Sequence, residues 1–251
     1  MSQNILEIYN LFKSFNNNEE KATTVLKDIS FQVQAGEFLT VMGPSGSGKS
    51  TLLYCVSGMD NIDSGQVVLD GQEISGLSEE EVSKLRLTKM GFIFQSPTML
   101  RNLNIIDNII LPAFKNDKED KKAIYEKAKE LMEATSIGGL TERTINKVSG
   151  GELQRASICR AMINQPAIIF GDEPTGALNS KTSLEIINLL KKINDKGSTI
   201  ILVTHDPKVA MASKMVIFMK DGQISSDLKI DGLSDEERRE KVMGKMLELN
   251  I

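Results

Sequence analysis

An α/β fold built on a mainly parallel sheet is what this sequence predicts, from three observations. The apolar run Phe38-Leu39-Thr40-Val41-Met42 leads directly into the glycine-rich stretch Gly43-Pro44-Ser45-Gly46-Ser47-Gly48. A helical segment follows from residue 49 to about residue 57 and stops at Gly58. Two further apolar runs of strand length, Ala167-Ile168-Ile169-Phe170 and Ile200-Ile201-Leu202-Val203-Thr204, flank a helix whose Leu184, Ile187, Leu190 and Ile193 share one side and which ends at Gly197. Strands that alternate with helices and read as continuous apolar runs belong to parallel sheets covered on both faces.

The other elements are read around that core. Residues 5–9 and 29–33 have the pattern of short strands, with Asn16-Asn17-Asn18 marking the turn region between them. Val67-Val68-Leu69 followed by Asp70-Gly71 is a strand and its turn. Ser78-Glu79-Glu80-Glu81 is a capping box opening a helix toward Leu87, in which hydroxyl and carboxylate each satisfy a backbone N–H that a helix start leaves unpaired. From about residue 96 to 164 the pattern becomes helical. Ile105, Ile109 and Ile110, then Ala123, Ile124, Ala128, Leu131 and Met132, recur at helical spacing, so an α-helical lobe inserted into the core is expected. One domain, 1–251, would then hold an α/β core at about 1–95 and 165–227, the lobe at about 96–164, and a C-terminal helical extension at about 228–251. The extension carries a second capping box, Ser234-Asp235-Glu236-Glu237. Its Val242, Met246 and Leu249 lie on the face expected to dock on the core.

Composition narrows the function classes. Of 251 residues, 40% are apolar and 25% charged, as in a water-soluble protein with a real core. The net charge of −4 gives no basic field to advertise nucleic acid, so no nucleic-acid partner is expected. Cys55 and Cys159 are far apart and lack metal-ligand spacing, which predicts two reduced structural thiols. No apolar run approaches the roughly 18 residues that span a bilayer. The start, Met1-Ser2-Gln3-Asn4, lacks the basic-then-apolar form of a secretion signal. The expectation is a cytoplasmic protein that needs another chain for any membrane part.

The strand–loop–helix at residues 38–57 is the setting that a phosphate-binding loop requires. In Gly43-Pro44-Ser45-Gly46-Ser47-Gly48-Lys49-Ser50-Thr51 the glycines let backbone N–H groups wrap phosphates, and the helix N-terminus adds partial positive charge. Lys49 is expected at the β- and γ-phosphates of a nucleotide and the Ser50 hydroxyl at Mg²⁺. Ile168-Ile169-Phe170-Gly171-Asp172-Glu173 is an apolar strand that delivers two carboxylates. Asp172 suits the Mg²⁺ shell, and Glu173 is the candidate general base for an attacking water. His205, the single histidine, follows a strand at the end where α/β sheets place ligand contacts. Gln95, after Phe92-Ile93-Phe94 at the border of core and lobe, offers an amide to Mg²⁺ or water. Ser149-Gly150-Gly151-Glu152 opens a helix with a hydroxyl, bare amides and a helix dipole, a ready anion site.

Val148-Ser149-Gly150-Gly151-Glu152 with the phosphate loop, in this order along the chain, resembles the ATP-binding-cassette ATPases over about residues 5–225. The resemblance implies a P-loop NTPase fold: a RecA-like core with a mainly parallel sheet, an antiparallel β subdomain and an inserted α-helical lobe. It also implies ATP and Mg²⁺ as cofactors, a homodimer of ATPase subunits, and a separately encoded integral-membrane permease reached from the cytoplasmic side of the plasma membrane. By the same resemblance, His205 contacts the γ-phosphate and water, and Gln95 links nucleotide state to the permease. Ser149-Gly150-Gly151-Glu152 would meet the γ-phosphate of ATP on the opposite subunit. Phe15 would stack on adenine, leaving Phe12 as the expected core residue of the pair.

Two positions depart from the usual pattern: Glu152 where Gln is usual, and Asn179 where Asp is usual. Both fall at the expected subunit contact. Asp172-Glu173-Pro174-Thr175-Gly176-Ala177-Leu178-Asn179-Ser180, with Gly91-Phe92-Ile93-Phe94-Gln95, is similar to the macrolide-exporter, lipoprotein-release and bacitracin-resistance branch. Within it the chain is most like the antimicrobial-peptide resistance ATPases. The alternatives are a lipoprotein-release or envelope mechanotransmission ATPase and a soluble non-transport ABC ATPase. Residues 97–112 read either as lobe core or as a groove for the permease.

Overall fold

The computed structural model describes residues 3–16, 22–116 and 120–251; Asn17 and Asn18 of the expected turn, and Met1 and Ser2, lie outside them. The chain runs β1 (Asn4–Asn16), β2 (Ala22–Gln34), β3 (Phe38–Met42), α1 (Lys49–Val56), β4 (Ser64–Leu69), β5 (Gln72–Glu73), α2 (Glu79–Lys89) and β6 (Met90–Phe94). Then come α3 (Ile105–Asn116), α4 (Lys121–Ala134), α5 (Gly150–Met162), β7 (Ile168–Asp172), α6 (Ser180–Asp195), β8 (Thr199–Thr204), α7 (Pro207–Ala212), β9 (Met215–Lys220), β10 (Gln223–Lys229) and α8 (Asp235–Leu249).

The main sheet has the order β10-β9-β3-β8-β7-β6 and is parallel except for the β9–β10 pair. A second, antiparallel sheet has the order β2-β1-β4-β5. Because strand side chains alternate between faces, one strand serves two cores. Leu39 and Val41 of β3, Phe170 of β7 and Val203 of β8 face α1 and the antiparallel sheet. Phe38, Ile169, Ile200 and Leu202 face α6 and Ile158 of α5. Helices α3, α4 and α5 close a separate cluster around Ile105, Ile109, Ala128 and Met132. Residues 97–112 fall mostly into that lobe core: Met99, Ile105, Ile106, Ile109 and Ile110 are buried, and Leu100 is exposed.

The capping boxes at Ser78 and Ser234 form, and a third forms at Ser149. Helix α8 docks through buried Val242, with Met246 and Leu249 packed beside it. Lys220 donates to the Leu249 carbonyl at 2.7 Å, and Arg238 to Met211 and Ser213 carbonyls at 3.0 and 2.8 Å. Among the described residues no helix is long and apolar enough to cross a membrane.

Several local expectations are corrected. Strands β1 and β2 each have 13 residues, so residues 5–9 and 29–33 are pieces of much longer strands. Bulges hide their continuity: the register slips after Ile8, where Asn10 takes φ 45°. That slip moves burial from Leu6 and Ile8 to Leu11 and Lys13, and it turns Phe12, the expected core residue, outward to 37% exposure. Leu184 stands 57% exposed on α6, and Ala123 is exposed at the first turns of α4. Cys55 and Cys159 are both buried free thiols; burial pushes each up to about 12, which leaves them unreactive.

Candidate functional site

Strand β3 ends where the chain must pass close to β9: a Cβ on Gly43 would lie 2.2 Å from the Met219 carbonyl oxygen. The loop then turns through Gly46 at φ 79° and Gly48 at φ 97°, left-handed conformations that glycine adopts without strain. Gly48 is the N-cap of α1 and provides no side-chain cap, so the first amides of the helix remain available to an anion. The Ser47 hydroxyl is buried and has no hydrogen-bond partner among the described residues. Lys49 is 6% exposed, and its ammonium donates to the Pro44 carbonyl at 2.8 Å. Burial lowers its pKa, against the pull of the Glu173 and Asp172 carboxylates, which raise it. A buried ammonium with one carbonyl partner among the described residues is a site one group short of satisfied.

Lys49 borders a cleft of about 730 Å³ lined by Ser45, Gly46, Gly48, Lys49, Ser50 and Thr51, together with Gln95, Glu173 and His205. Asp172 reaches this cleft through Ser50. Its Oδ1 accepts the Ser50 hydroxyl at 2.9 Å and its Oδ2 accepts the Tyr54 hydroxyl at 2.8 Å. Burial and the bond to Asp172 push the Tyr54 phenol up to about 12, so it stays a donor. Glu173 follows at φ 46°, a conformation unfavourable for a residue with a Cβ, and its N–H is held by the Val203 carbonyl at 3.0 Å. Its Oε1 lies 2.8 Å from Nδ1 of His205, whose side chain is 66% exposed. With the proton on Nδ1, the imidazole donates to the carboxylate and fixes its direction. Gln95 reaches the same wall because position 176 is glycine: a Cβ there would lie 2.8 Å from the Gln95 Nε2.

Three groups of expected residues stand elsewhere. Ser149-Gly150-Gly151-Glu152 does not line the cleft of its own chain. It starts α5 beside the start of α6, where a Cβ on Gly151 would meet Cγ2 of Thr182 at 2.5 Å. Asn179 caps that neighbouring helix, its Oδ1 accepting from the Thr182 N–H at 3.0 Å. Phe15 lies near the end of β1, 40% exposed, with the Lys13 ammonium 4.9 Å from its ring centroid. Two contacts at the site have no motif in the sequence to mark them. Tyr54 is one turn along α1 from Ser50, and that spacing was the only available signal. Buried Gln154 donates to the Phe94 carbonyl at 3.1 Å, tying α5 to the strand before Gln95; nothing in the sequence distinguishes it.

Glu152 completes the α5 capping box, accepting from the Ser149 N–H and hydroxyl at 2.7 Å each, and these bonds hold its pKa below the ordinary 4.5. A carboxyl with a depressed folded-state pKa contributes stability that is whole above 4.5 and fades as the pH falls through the lower folded value. Glu152→Gln keeps the acceptor and removes the charge. It is expected to cost about 0.5 kcal/mol at pH 7, a cost that shrinks on acidification, as read by urea denaturation across pH.

The family profile described as ABC transporter matches residues 26–176. The chain is 43% identical over 225 residues to the bacitracin export ATP-binding protein BceA of Halalkalibacterium halodurans, covering 89% of this chain and 88% of that one. It is 39% identical over 243 residues, 94% of this chain, to the macrolide export ATP-binding/permease protein MacB of Bdellovibrio bacteriovorus, of which it spans 37%. Among solved structures, the dimeric post-hydrolysis state of the ATP-binding cassette MJ0796 bound to ADP and Pi, from Methanocaldococcus jannaschii, superposes with a TM-score of 0.84 at 34% identity, covering 91% of this chain and 100% of that one. The chain therefore belongs to the ABC transporter family and is its ATP-binding, ATP-hydrolysing cassette.

Proposed function

We propose that this cassette works as a homodimer on Mg·ATP and drives a separate integral-membrane permease from the cytoplasmic face, in export of or resistance to antimicrobial peptides. The Glu173–His205 pair carries the reading, because it stands on the wall of the cleft that holds Lys49 and Ser50. The uncapped amides of α1 and the Lys49 ammonium bind the phosphates. Ser50 and Asp172, with Gln95 at the cleft, would hold Mg²⁺. When bound, Mg²⁺ neutralises charge on the phosphates. Glu173 takes the proton of the attacking water, and His205 keeps that carboxylate aimed.

Dimerisation is supported by the position of Ser149-Gly150-Gly151-Glu152, which does not line its own cleft, and by the dimeric structures of the 34%-identical cassette. Likeness to the bacitracin export ATP-binding protein supports the peptide substrate class. A groove of about 290 Å³, lined by Met59, Thr98, Leu111 and Pro112 among others, suits a permease helix. Met59 is 38% exposed, so a carboxylate placed there meets solvent. Met59→Glu is expected to abolish co-purification with the permease while ATP binding persists. Undiminished co-purification would move the dock elsewhere, and a wild-type cassette that captures no membrane protein would sink the permease reading.

A further inference from the structure

Both carboxylate oxygens of Asp172 are engaged by one helix. Ser50 donates to Oδ1 at 2.9 Å and Tyr54 to Oδ2 at 2.8 Å. The two donors are one helical turn apart on α1 and so share a face. We propose that Tyr54 is a positioning residue for the metal site: by anchoring Oδ2 it turns Asp172 so that Oδ1, beside the Ser50 hydroxyl, faces the cation that accompanies the nucleotide. This rests on the reading of Asp172 and Ser50 as the Mg²⁺ holders.

A carboxylate rotates freely about its last torsion unless something fixes it. At the end of β7 the backbone sets where Asp172 begins, and the phenol sets where its oxygens point. The Tyr54 ring is half-buried and packs against the core that α1 shares with the antiparallel sheet, so the hydroxyl is delivered from a rigid base. Groups that hydrogen-bond a metal-ligating carboxylate orient it, and losing one typically costs about 10–100-fold in metal affinity or activity. Tyr54→Phe removes a single oxygen atom and leaves the ring packing in place.

The test is the Mg²⁺ dependence of ATP binding to the full chain, with Asp172→Asn beside Tyr54→Phe. In Y54F the Mg²⁺ concentration for half-maximal ATP affinity is expected to rise about 10-fold. ATP affinity in EDTA should change less than about twofold, because the phosphate loop itself is untouched. Mn²⁺ replacing Mg²⁺ gives a second readout: electron paramagnetic resonance should show the same displaced midpoint for bound Mn²⁺. In D172N/Y54F the second substitution should add nothing. An unchanged or lowered midpoint in Y54F, with a raised one in D172N, overturns the role of Tyr54 alone. Equal losses of ATP affinity with and without Mg²⁺ would make Tyr54 a prop for α1 and overturn it too. An unchanged midpoint in D172N overturns the metal reading, and the proposal with it.

Discussion

Glu173→Gln is expected to cut steady-state ATP turnover by about 10²–10⁴-fold while leaving ATP binding intact, the range a positioned general base supplies. The substitution is nearly isosteric, and the geometry around it does not depend on the charge. The backbone at φ 46° is held by the N–H bond to Val203, 3.0 Å, and the amide oxygen of glutamine still accepts from His205 Nδ1 where the carboxylate does at 2.8 Å. What disappears is the ability to take a proton. A cassette that binds ATP and cannot hydrolyse it should accumulate as the ATP-bound dimer. Size-exclusion chromatography with Mg·ATP, beside single-turnover phosphate release, separates the two effects. Undiminished turnover in this variant would remove Glu173 from the chemistry, and slow turnover without a dimer would leave the base in place and refute the paired assembly.

The parts of this site that were legible in the sequence are those set by local rules. The apolar runs of β3, β7 and β8 are buried on both faces and needed no tertiary knowledge, and the carboxylates at the end of β7 inherit their position from that strand. Capping boxes announce α2 and α8 because the hydrogen bonds involved span only three residues. Legibility fails where the alternation is interrupted. Asn10 and Asp28, at φ 45° and 55°, break the pattern of β1 and β2, so two long strands looked like two short ones and Phe12 was assigned to the wrong face. It fails again where partners are remote: Tyr54 and Asp172 are 118 residues apart, and no periodicity links a phenol on a helix to a carboxylate on a strand. The strand order, with β3 between β9 and β8, is likewise a product of crossovers that local pattern does not encode.

Lys49→Met is expected to weaken the nucleotide's hold about 100-fold without harming the fold. Burial lowers the lysine's pKa, so the charged form is less comfortable in the folded protein than in the unfolded chain. The sign follows: at neutral pH the ammonium works against folding, and that penalty lessens only as the pH rises through the folded-state pKa. Methionine keeps the apolar stem and drops the charge. The variant should therefore melt at the wild-type temperature or above it when no nucleotide is present. Binding goes the other way. A charge-assisted hydrogen bond is worth about 1.5–3 kcal/mol, so an ammonium that gives one or two of them to phosphate accounts for an affinity loss of about 100-fold. Thermal melting with and without Mg·ATP reads both at once, since the ligand's stabilisation grows as the logarithm of its concentration over Kd. A variant that melts lower yet keeps the full ATP-induced shift would make Lys49 a structural residue. The opposite outcome is what the apo geometry argues for. A cation 6% exposed, with one carbonyl as its hydrogen-bond partner among the described residues, is a costly arrangement for a fold to keep unless an anion completes it.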